Sequence, residues 1–211
     1  MAKVVEPPAP APAALALNQI RRMRRIVDAA VELADEGGFQ AVRLRDVAEK
    51  SEVALGTLYK YFRSKEDLLL FALNEEVARL ETGMVSSPAD GHTPLARVGD
   101  VFERATAGIL AKPQFATAVL RAVAVGDPET ALKIASLQLR VTRLIVAAIH
   151  GYGPDLSAPL QDSAGSAHEQ ALAFTLQQVW FASLVGWSAK LHPEAAIIEQ
   201  VHSAATMLLG D

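Results

Sequence analysis

Apolar side chains recur at spacings of three and four residues along almost the whole chain from Asn18 onward, and Gly and Pro separate these stretches. No run of β-branched residues alternates with a period of two, as a half-buried strand requires. The first stretch shows the pattern most clearly, with Ile20, Met23, Ile26, Val27, Ala30, Val31 and Ala34. Such spacing makes one apolar stripe on a helix. The sequence therefore predicts an all-α fold of about nine helices.

Capping and breaking residues set the predicted helix bounds. Asn18 is a suitable N-cap for the first helix, and Gly37 and Gly38 end it. Asp127 and Pro128 mark the start of another helix, which Gly151 ends. The other helices are predicted at 44–50, 55–62, 65–85, 95–111, 113–125, 166–191 and 193–209, with a linker at 86–94 and a loop at 152–164.

The chain divides by composition and charge into three parts. Residues 1–17 form a Pro/Ala-rich segment, predicted to be a flexible arm. Residues 18–65 carry ten Lys/Arg and seven Asp/Glu, whereas residues 66–211 carry nine and sixteen. A basic unit on an acidic body suggests that one end meets a polyanion, although a net charge of +3 is also ordinary scatter.

Composition also narrows the class of protein. The absence of cysteine excludes disulfides and thiolate metal sites and fits a reducing compartment, so we expect a cytoplasmic protein. The first seventeen residues carry prolines instead of the apolar run of a signal peptide. No apolar stretch is long enough to span a membrane. We therefore expect no membrane partner.

Two short predicted helices, 44–50 and 55–62, are joined by a tight turn and follow a longer first helix. This is the pattern of a helix-turn-helix, with a small core of Val47, Ala48, Val53, Leu58 and Phe62. The second short helix would lie in the major groove of DNA. Its hydroxyl, phenol and ammonium groups suit phosphates and base edges.

The stretch from Arg43 to Leu73, RLRDVAEKSEVALGTLYKYFRSKEDLLLFAL, strongly resembles the DNA-binding unit of the TetR family of repressors. The matching positions are Asp46, Val47, Ala48, Val53, Gly56, Thr57, Leu58, Tyr59, Tyr61, Phe62, Ser64, Lys65 and Leu68. One position departs from the pattern, because Ala54 stands where the family often has Ser as a cap and phosphate partner. The resemblance implies a helix-turn-helix DNA-binding domain at 18–65 and a ligand-binding and dimerisation domain at 66–211.

The resemblance also implies which side chains contact DNA. They are Arg45, Leu55, Gly56, Thr57, Tyr59, Lys60, Tyr61 and Lys65. Tyr59 could instead be a packing residue with its hydroxyl in water. The four arginines between Arg21 and Arg25 could contact DNA or form a solvated face.

The segment 168–190 is apolar nearly all round, so it must be buried on both sides. We expect the last two helices to face their own core on one side and a second copy on the other. The alternative is a central helix in a monomer. The expected interface residues are Phe181, Leu184, Trp187, Ile198, Val201, Ala205 and Leu208.

The helices between the DNA-binding unit and this interface are expected to enclose a small apolar or amphipathic effector. The expected ligand contacts are Phe102, Leu110, Phe115, Leu120, Gln138, Leu144, Phe174, Gln178 and Trp180. For each apolar side chain among them, packing in the core is the stronger alternative. An anionic ligand group could be held by Arg121, Arg140 or Arg143.

No catalytic motif is present, and the five histidines have no metal-ligand spacing, so we expect no enzyme, no metal and no cofactor. The opening segment and LQLRVTRLIVAAIHGYG, residues 137–153, are similar to KstR-type repressors of cholesterol and steroid catabolism. That similarity implies an effector derived from a sterol, such as a steroid CoA thioester, and target genes for steroid and lipid degradation. The alternatives are an efflux or other metabolic operon with an unrelated apolar ligand, or control by a partner protein. Two half-sites of a palindromic operator would require two DNA-binding units, so we expect a homodimer.

Overall fold

The structure, a computed structural model, describes residues 12–124, 128–160 and 165–210, with the backbone alone for residues 12–17 and 128–129. These residues contain nine helices and no strand, which confirms the all-α prediction. The helices are α1 (Pro12–Ala41), α2 (Leu44–Lys50), α3 (Leu55–Leu58), α4 (Lys65–Ser86), α5 (Pro94–Leu110), α6 (Pro113–Val123), α7 (Pro128–His150), α8 (Ala167–Ser188) and α9 (Ala195–Leu209). No helix in the described ranges has the length and apolarity to cross a lipid bilayer.

Helix α1 begins at Pro12, six residues before the predicted start at Asn18. The last part of the predicted arm is therefore helical, and residues 1–11 and the predicted cap Asp127 lie outside the described residues. Near its other end, α1 is interrupted where predicted. Gly38 has a φ of 66° and a ψ of −163°, a conformation that only glycine adopts readily.

Helix α3 is shorter than predicted, because it ends at Leu58 instead of Phe62. The amide of Lys60 donates to the carbonyl of Thr57 at 3.1 Å, and that of Tyr61 donates to Leu58 at 2.9 Å. These bonds span three residues instead of four, so the backbone tightens after the first turn. No side chain caps the start of α3 at Ala54, as the missing serine led us to expect.

The DNA-binding unit and α6 share one hydrophobic core, which we call the first core. Helix α1 packs more extensively on α6 than any other two helices pack on each other in the described residues. Buried apolar residues of α1, α2, α3, α4 and α6 form most of this core, with two contributions from the end of α5 and one each from α8 and α9. The two predicted domains are therefore joined by continuous packing and not by α4 alone.

A second core lies farther from the DNA-binding unit, among α5, α7, α8 and α9. Its buried members are Met84, Val98, Val101, Phe102, Leu144, Ile145, Ala148, Leu172, Ala173, Leu176, Val201 and Ala205. Phe102 packs against Trp180 with ring centroids 5.8 Å apart. Helix α8 contributes buried residues to both cores, Leu184 to the first and Leu172, Ala173 and Leu176 to the second.

A buried carboxylate ties α4 to α7. Glu81 is 4% exposed and forms ion pairs with both Arg140 and Arg143. The Nε atom of Arg140 donates to Glu81 at 3.0 Å, and Arg143 also donates to the carbonyl of Asp155 at 3.3 Å. The expectation that these two arginines hold an anionic ligand is therefore wrong, because Glu81 already occupies them.

Replacing Glu81 by Gln would leave two buried guanidinium groups without their counter-charge. We expect the free energy of unfolding to fall by about 3–5 kcal/mol, measured by urea denaturation. The control is Glu32→Gln, which removes an exposed partner of Lys50 and should cost less than about 1 kcal/mol. Equal, small losses in the two variants would contradict a structural role for Glu81.

Candidate nucleic-acid interface and effector cavity

The turn between α2 and α3 has the geometry of a helix-turn-helix. The amide of Val53 donates to the carbonyl of Ala48 at 2.9 Å, and Glu52 turns the chain with a φ of 54°. Leu58 and Phe62 are buried against Val47 and Ala48 in the first core. The predicted core of this unit is confirmed, and it leaves the opposite face of α3 free to enter a groove.

The predicted DNA contacts lie on that outer surface to different degrees. Gly56, Lys60 and Arg45 are exposed, and Tyr59 is 53% exposed. The alternative of Tyr59 as a packing residue is therefore wrong. Leu55, Thr57, Tyr61 and Lys65 are half-buried, and Tyr61 packs beside the first core.

Besides being a predicted DNA contact, Lys65 at the start of α4 contacts Phe39 of α1. Its ammonium donates to the carbonyl of Phe39 at 3.2 Å and lies 3.8 Å from the centroid of the Phe39 ring. An ammonium has three donors, so two remain for a phosphate. Arg121 of α6 lies against the same ring, 4.9 Å from its centroid. Phe39 therefore joins the end of α1 to α4 and to α6.

Ion pairs fix how α1 runs past the turn. Lys50, at the end of α2, lies 3.1 Å from Glu32 and 3.2 Å from Glu36 on α1. The hydrogen bond to Glu32, followed by that to Glu36, raises the pKa of Lys50 above its usual value. Farther toward the N-terminus, Arg25 Nη1 lies 3.8 Å from Glu52 Oε2. Helix α1 thus passes α2 and then the turn that precedes α3.

A mainly apolar cavity of about 460 Å³ lies between α4, α5, α6, α7 and α8. Pockets for small ligands commonly measure roughly 300–1,000 Å³. Its lining includes Leu73, Val77, Leu80, Ala105, Ile109, Ala116, Val119, Leu120, Val123, Ile134, Leu137, Val141, Trp180, Phe181 and Leu184. The cavity is large enough for a compact lipophilic molecule.

A few polar groups interrupt this apolar lining. Gln138, Gln177 and Gln178 contribute amides, and α4 and α5 contribute Glu76, Arg79 and Arg104. Gln177 donates to the Thr142 hydroxyl at 3.0 Å, and the Trp180 indole donates to Thr106 at 2.8 Å. Arg79 pairs with Glu76, and Arg104 pairs with Asp100 at 2.8 Å. The guanidinium groups beside the cavity are thus not the ones that the sequence suggested.

The structure places four of the nine predicted ligand contacts in the cavity lining, namely Leu120, Gln138, Gln178 and Trp180. Phe102, Leu110, Phe115 and Leu144 are buried in the two cores instead, and Phe174 is 52% exposed. These five predictions are wrong because each side chain points to another side of its helix. Arg121 is not among the lining residues either, since it lies against Phe39.

Sequence reasoning missed the wall that α4 supplies and, apart from Leu120, the one that α6 supplies. Leu73, Val77 and Leu80 follow one another at spacings of four and three on α4, beside the stripe that enters the first core. That second apolar stripe was visible in the sequence and could have indicated a cavity wall. Ala116 and Val119 carried no comparable signal, because their neighbours on α6 are equally apolar.

The predicted interface residues lie mostly inside one chain. Leu184, Val201 and Ala205 are 3%, 1% and 1% exposed, and Phe181 and Leu184 line the cavity. Trp187 packs on the first core and Ile198 on the second. Of the predicted set only Leu208, 40% exposed, is open to a partner. The prediction that Leu184, Val201 and Ala205 lie at the interface is therefore wrong, because these side chains are buried within the chain. The side chains of Phe181, Trp187 and Ile198 are half-buried.

A different apolar stripe on α8 is open. Its exposed apolar positions are Ala171, Phe174, Ala182 and Val185, and the polar Gln178, which also lines the cavity, lies among them. Phe174 is 52% exposed and Val185 42%. Met207 of α9 is also exposed, at 80%. Gly186 is buried and so is not part of this stripe. It lies against His192, whose Nε2 atom would be 2.5 Å from a Cβ atom at this position.

Comparison with known proteins agrees with both parts of this architecture. The family model described as bacterial regulatory proteins of the tetR family matches residues 26–71, and that of the tetracyclin repressor-like C-terminal domain matches residues 91–208. The chain belongs to the TetR family. It is 31% identical over 193 residues to the HTH-type transcriptional repressor KstR of Rhodococcus jostii, covering 92% of this chain and 85% of that protein.

Solved structures of TetR regulators share the fold. A TetR transcriptional regulator from a Rhodococcus species superimposes with a TM-score of 0.77 at 24% identity, covering 92% of this chain and 98% of that one. Thermus thermophilus FadR, solved in complex with lauroyl-CoA, gives a TM-score of 0.68 at 21% identity, with 89% and 93% covered. The expected DNA-binding domain and its family are thus confirmed, and the TetR family comprises transcriptional regulators and not enzymes.

Tyr59→Phe tests the exposed face of α3 by removing a single hydroxyl group. We expect operator affinity to fall by about 0.5–1.5 kcal/mol for each hydrogen bond removed, with no change in the unfolding midpoint. Fluorescence anisotropy with an operator duplex measures the affinity. The control is Tyr152→Phe, because Tyr152 is 54% exposed in the loop after α7. Wild-type affinity in Tyr59→Phe would show that this hydroxyl makes no DNA contact.

Proposed function

We propose that this TetR regulator represses transcription from a palindromic operator as a homodimer and releases DNA when a lipophilic effector fills the cavity. The observation that carries the proposal is the position of α6. One face of α6 contributes Ala116 and Val119 to the cavity, and other side chains, such as Phe115 and Ala118, pack in the first core. A molecule that fills the cavity therefore presses on the helix that supports the DNA-binding unit.

The contacts of Phe39 could transmit a shift of α6 to the DNA-binding unit. Phe39 follows the break at Gly38 and lies between the ammonium of Lys65 and the guanidinium of Arg121. A shift of α6 moves Arg121 against the Phe39 ring and so alters how the end of α1 packs on the start of α4. Because α3 connects directly to α4 through residues 59–64, the angle of α3 changes with it.

A second connection runs from α7. Lys133 pairs with Asp67 in the first turn of α4, and Asp67 accepts a hydrogen bond from the amide of Arg63 at 3.2 Å. Helix α7 lines the cavity with Leu137 and Gln138, one turn beyond Lys133. The effector must favour the released state by about 1–3 kcal/mol or more for useful control.

We propose an amphipathic effector of the steroid CoA thioester class. The apolar lining suits a lipophilic body. Arg79 and Arg104 lie beside it in ion pairs with Glu76 and Asp100 that are more exposed than those of Glu81, so an anionic group could replace these partners. The similarity to KstR along most of the chain and the lauroyl-CoA bound to the related FadR support this class. An unrelated apolar ligand controlling an efflux or other metabolic operon, or a partner protein, is the competing proposal.

The open stripe on α8 supports the homodimer. A second copy related by a two-fold axis would cover Phe174 and Val185, and their neighbour Ala182 is small enough for close approach of helices. Two DNA-binding units are then available for two half-sites about one helical turn apart. Because the chain has no cysteine, which fits a reducing compartment, we propose that this dimer acts in the cytoplasm.

The decisive test uses a duplex selected from a random-sequence library by the wild-type protein, with a panel of steroid and straight-chain acyl CoA thioesters. Release by the steroid thioesters, and not by simple acyl chains, is the expected result. Binding without release by any of them would leave the competing proposal. Failure to select a consensus at moderate salt would contradict operator recognition itself.

Leu137→Trp tests the cavity as the effector site. Leu137 lines the cavity and is 8% exposed, so a larger indole ring occupies part of the effector volume. We expect operator affinity within about threefold of wild type, and an effector concentration for half-release at least tenfold higher. Leu132→Trp is the matched control, because Leu132 lies on the same helix and is 76% exposed. An unchanged response in Leu137→Trp would contradict effector binding in this cavity.

Phe174→Glu tests the α8 stripe as the dimer interface. Two carboxylates brought together at an apolar contact oppose association, since each must be desolvated. We expect a largely monomeric protein in sedimentation velocity at micromolar concentration, with its helix content retained. Leu132→Glu introduces the same charge at an exposed position on α7 and should remain dimeric. A dimeric Phe174→Glu protein would place the interface elsewhere.

A further inference from the structure

Helix α1 extends beyond the body of the DNA-binding unit. The four consecutive residues from Asn18 to Arg21 are all exposed, including Ile20 at 56%. Four consecutive positions cover every side of an α-helix, so this part of α1 packs against nothing in the described structure. Toward the N-terminus the helical backbone continues to Pro12. At about 1.5 Å per residue, the stretch from Arg24 to Pro12 is about 18 Å long.

This projecting segment carries a dense positive charge. Arg21, Arg22, Arg24 and Arg25 lie within five positions of α1, and we call them the arginine ridge. Arg21, Arg24 and Arg25 are exposed, and Arg22 is half-buried beside the stripe of Ile26, Val27 and Ala30 that packs in the first core. Together with Asn18 and Asp28 they line a shallow groove. Arginines three and four residues apart repel one another on a helix. A neighbouring anion would relieve that repulsion.

The protein itself neutralises little of this charge. Arg25 has a weak ion pair with Glu52, at 3.8 Å, and both side chains are largely exposed. Arg21, Arg22 and Arg24 form no ion pair with the part of the chain that the structure describes. Asp28 is the remaining acidic residue in the groove. The ridge therefore has an excess of uncompensated guanidinium groups.

The position of the ridge points to its partner. Along α1, Glu32 and Glu36 contact the end of α2, Arg25 contacts the turn at Glu52, and the other ridge residues lie beyond it. Helix α3, which carries the predicted groove contacts, starts three residues after Glu52. The ridge is thus continuous with the edge of the DNA-binding surface, on its outer side.

We propose that the arginine ridge binds the phosphate backbone of duplex DNA that flanks the half-site contacted by α3. Guanidinium groups pair with phosphate oxygens through two parallel hydrogen bonds, without reference to base sequence. The ridge therefore adds affinity and lengthens the bound segment, while the choice of sequence stays with α3. This inference rests on the proposed operator binding.

The test compares wild type with Arg21→Gln/Arg24→Gln on two duplexes: the selected operator with its flanks, and the same operator trimmed to its half-sites. On the long duplex we expect at least a tenfold loss of affinity at about 0.1 M salt. The dependence of log affinity on log salt should become shallower by about 0.9 for each phosphate that the variant no longer neutralises. On the trimmed duplex the variant should bind like wild type. Hydroxyl-radical footprints should lose protection outside the half-sites.

Two further variants separate the arginine contacts from a general charge effect. Arg21→Lys/Arg24→Lys keeps both charges and should recover most of the salt dependence. Lys190→Gln removes an exposed charge far along the chain and should leave the affinity for both duplexes unchanged. Equal losses on long and trimmed duplexes, or an unchanged salt dependence, would overturn the ridge proposal. If wild-type protein selected no operator, the proposed function would fail instead, and the two failures are therefore distinguishable.

Discussion

The packing of α1 on α6 is the contact on which the rest of this structure depends. It merges the DNA-binding unit and the effector domain into one core, so neither part can reorient without disturbing the other. A unit of three short helices buries too little surface to be very stable alone, and α6 supplies much of what it lacks. The same helix also lines the cavity, so the proposed effector site and the core of the DNA-binding unit share one element.

The walls of the cavity differ in how firmly they are held. On one side, α4 and α7 are joined by the buried Glu81 and its two arginines, an arrangement that is costly to break. On the other side, α6 is held by apolar contacts and by the approach of Arg121 to Phe39. Apolar contacts tolerate small sliding movements better than a buried ion pair with fixed hydrogen bonds. We infer that an effector displaces α6 more readily than it separates α4 from α7.

Helix α8 shows both the strength and the limit of reasoning from sequence patterns. Its lack of a polar face led us to expect burial on both sides. Within the chain one side packs in the two cores and the other side is exposed, so burial of the second side by another copy stays a prediction. The pattern could not say which side faces the protein's own cores, the cavity or the outside, because nearly every position is apolar. Leu184 turned out to lie in the core and cavity lining, while Phe174, expected at the ligand, is open to a partner.

The sequence by itself determined the number of helices, the position of most of their ends and the helix-turn-helix, because caps, breakers and tight turns act through neighbours in the chain. Most described helix ends fall within three residues of the predicted ones. The larger departures are the start of α1, six residues before the predicted cap Asn18, and the end of α3, four residues before Phe62. Only the tertiary structure decided which side chains line the cavity and which arginines lie beside it. Those choices depend on how each helix is rotated against distant helices, and a rotation of one residue exchanges a cavity position for a core position.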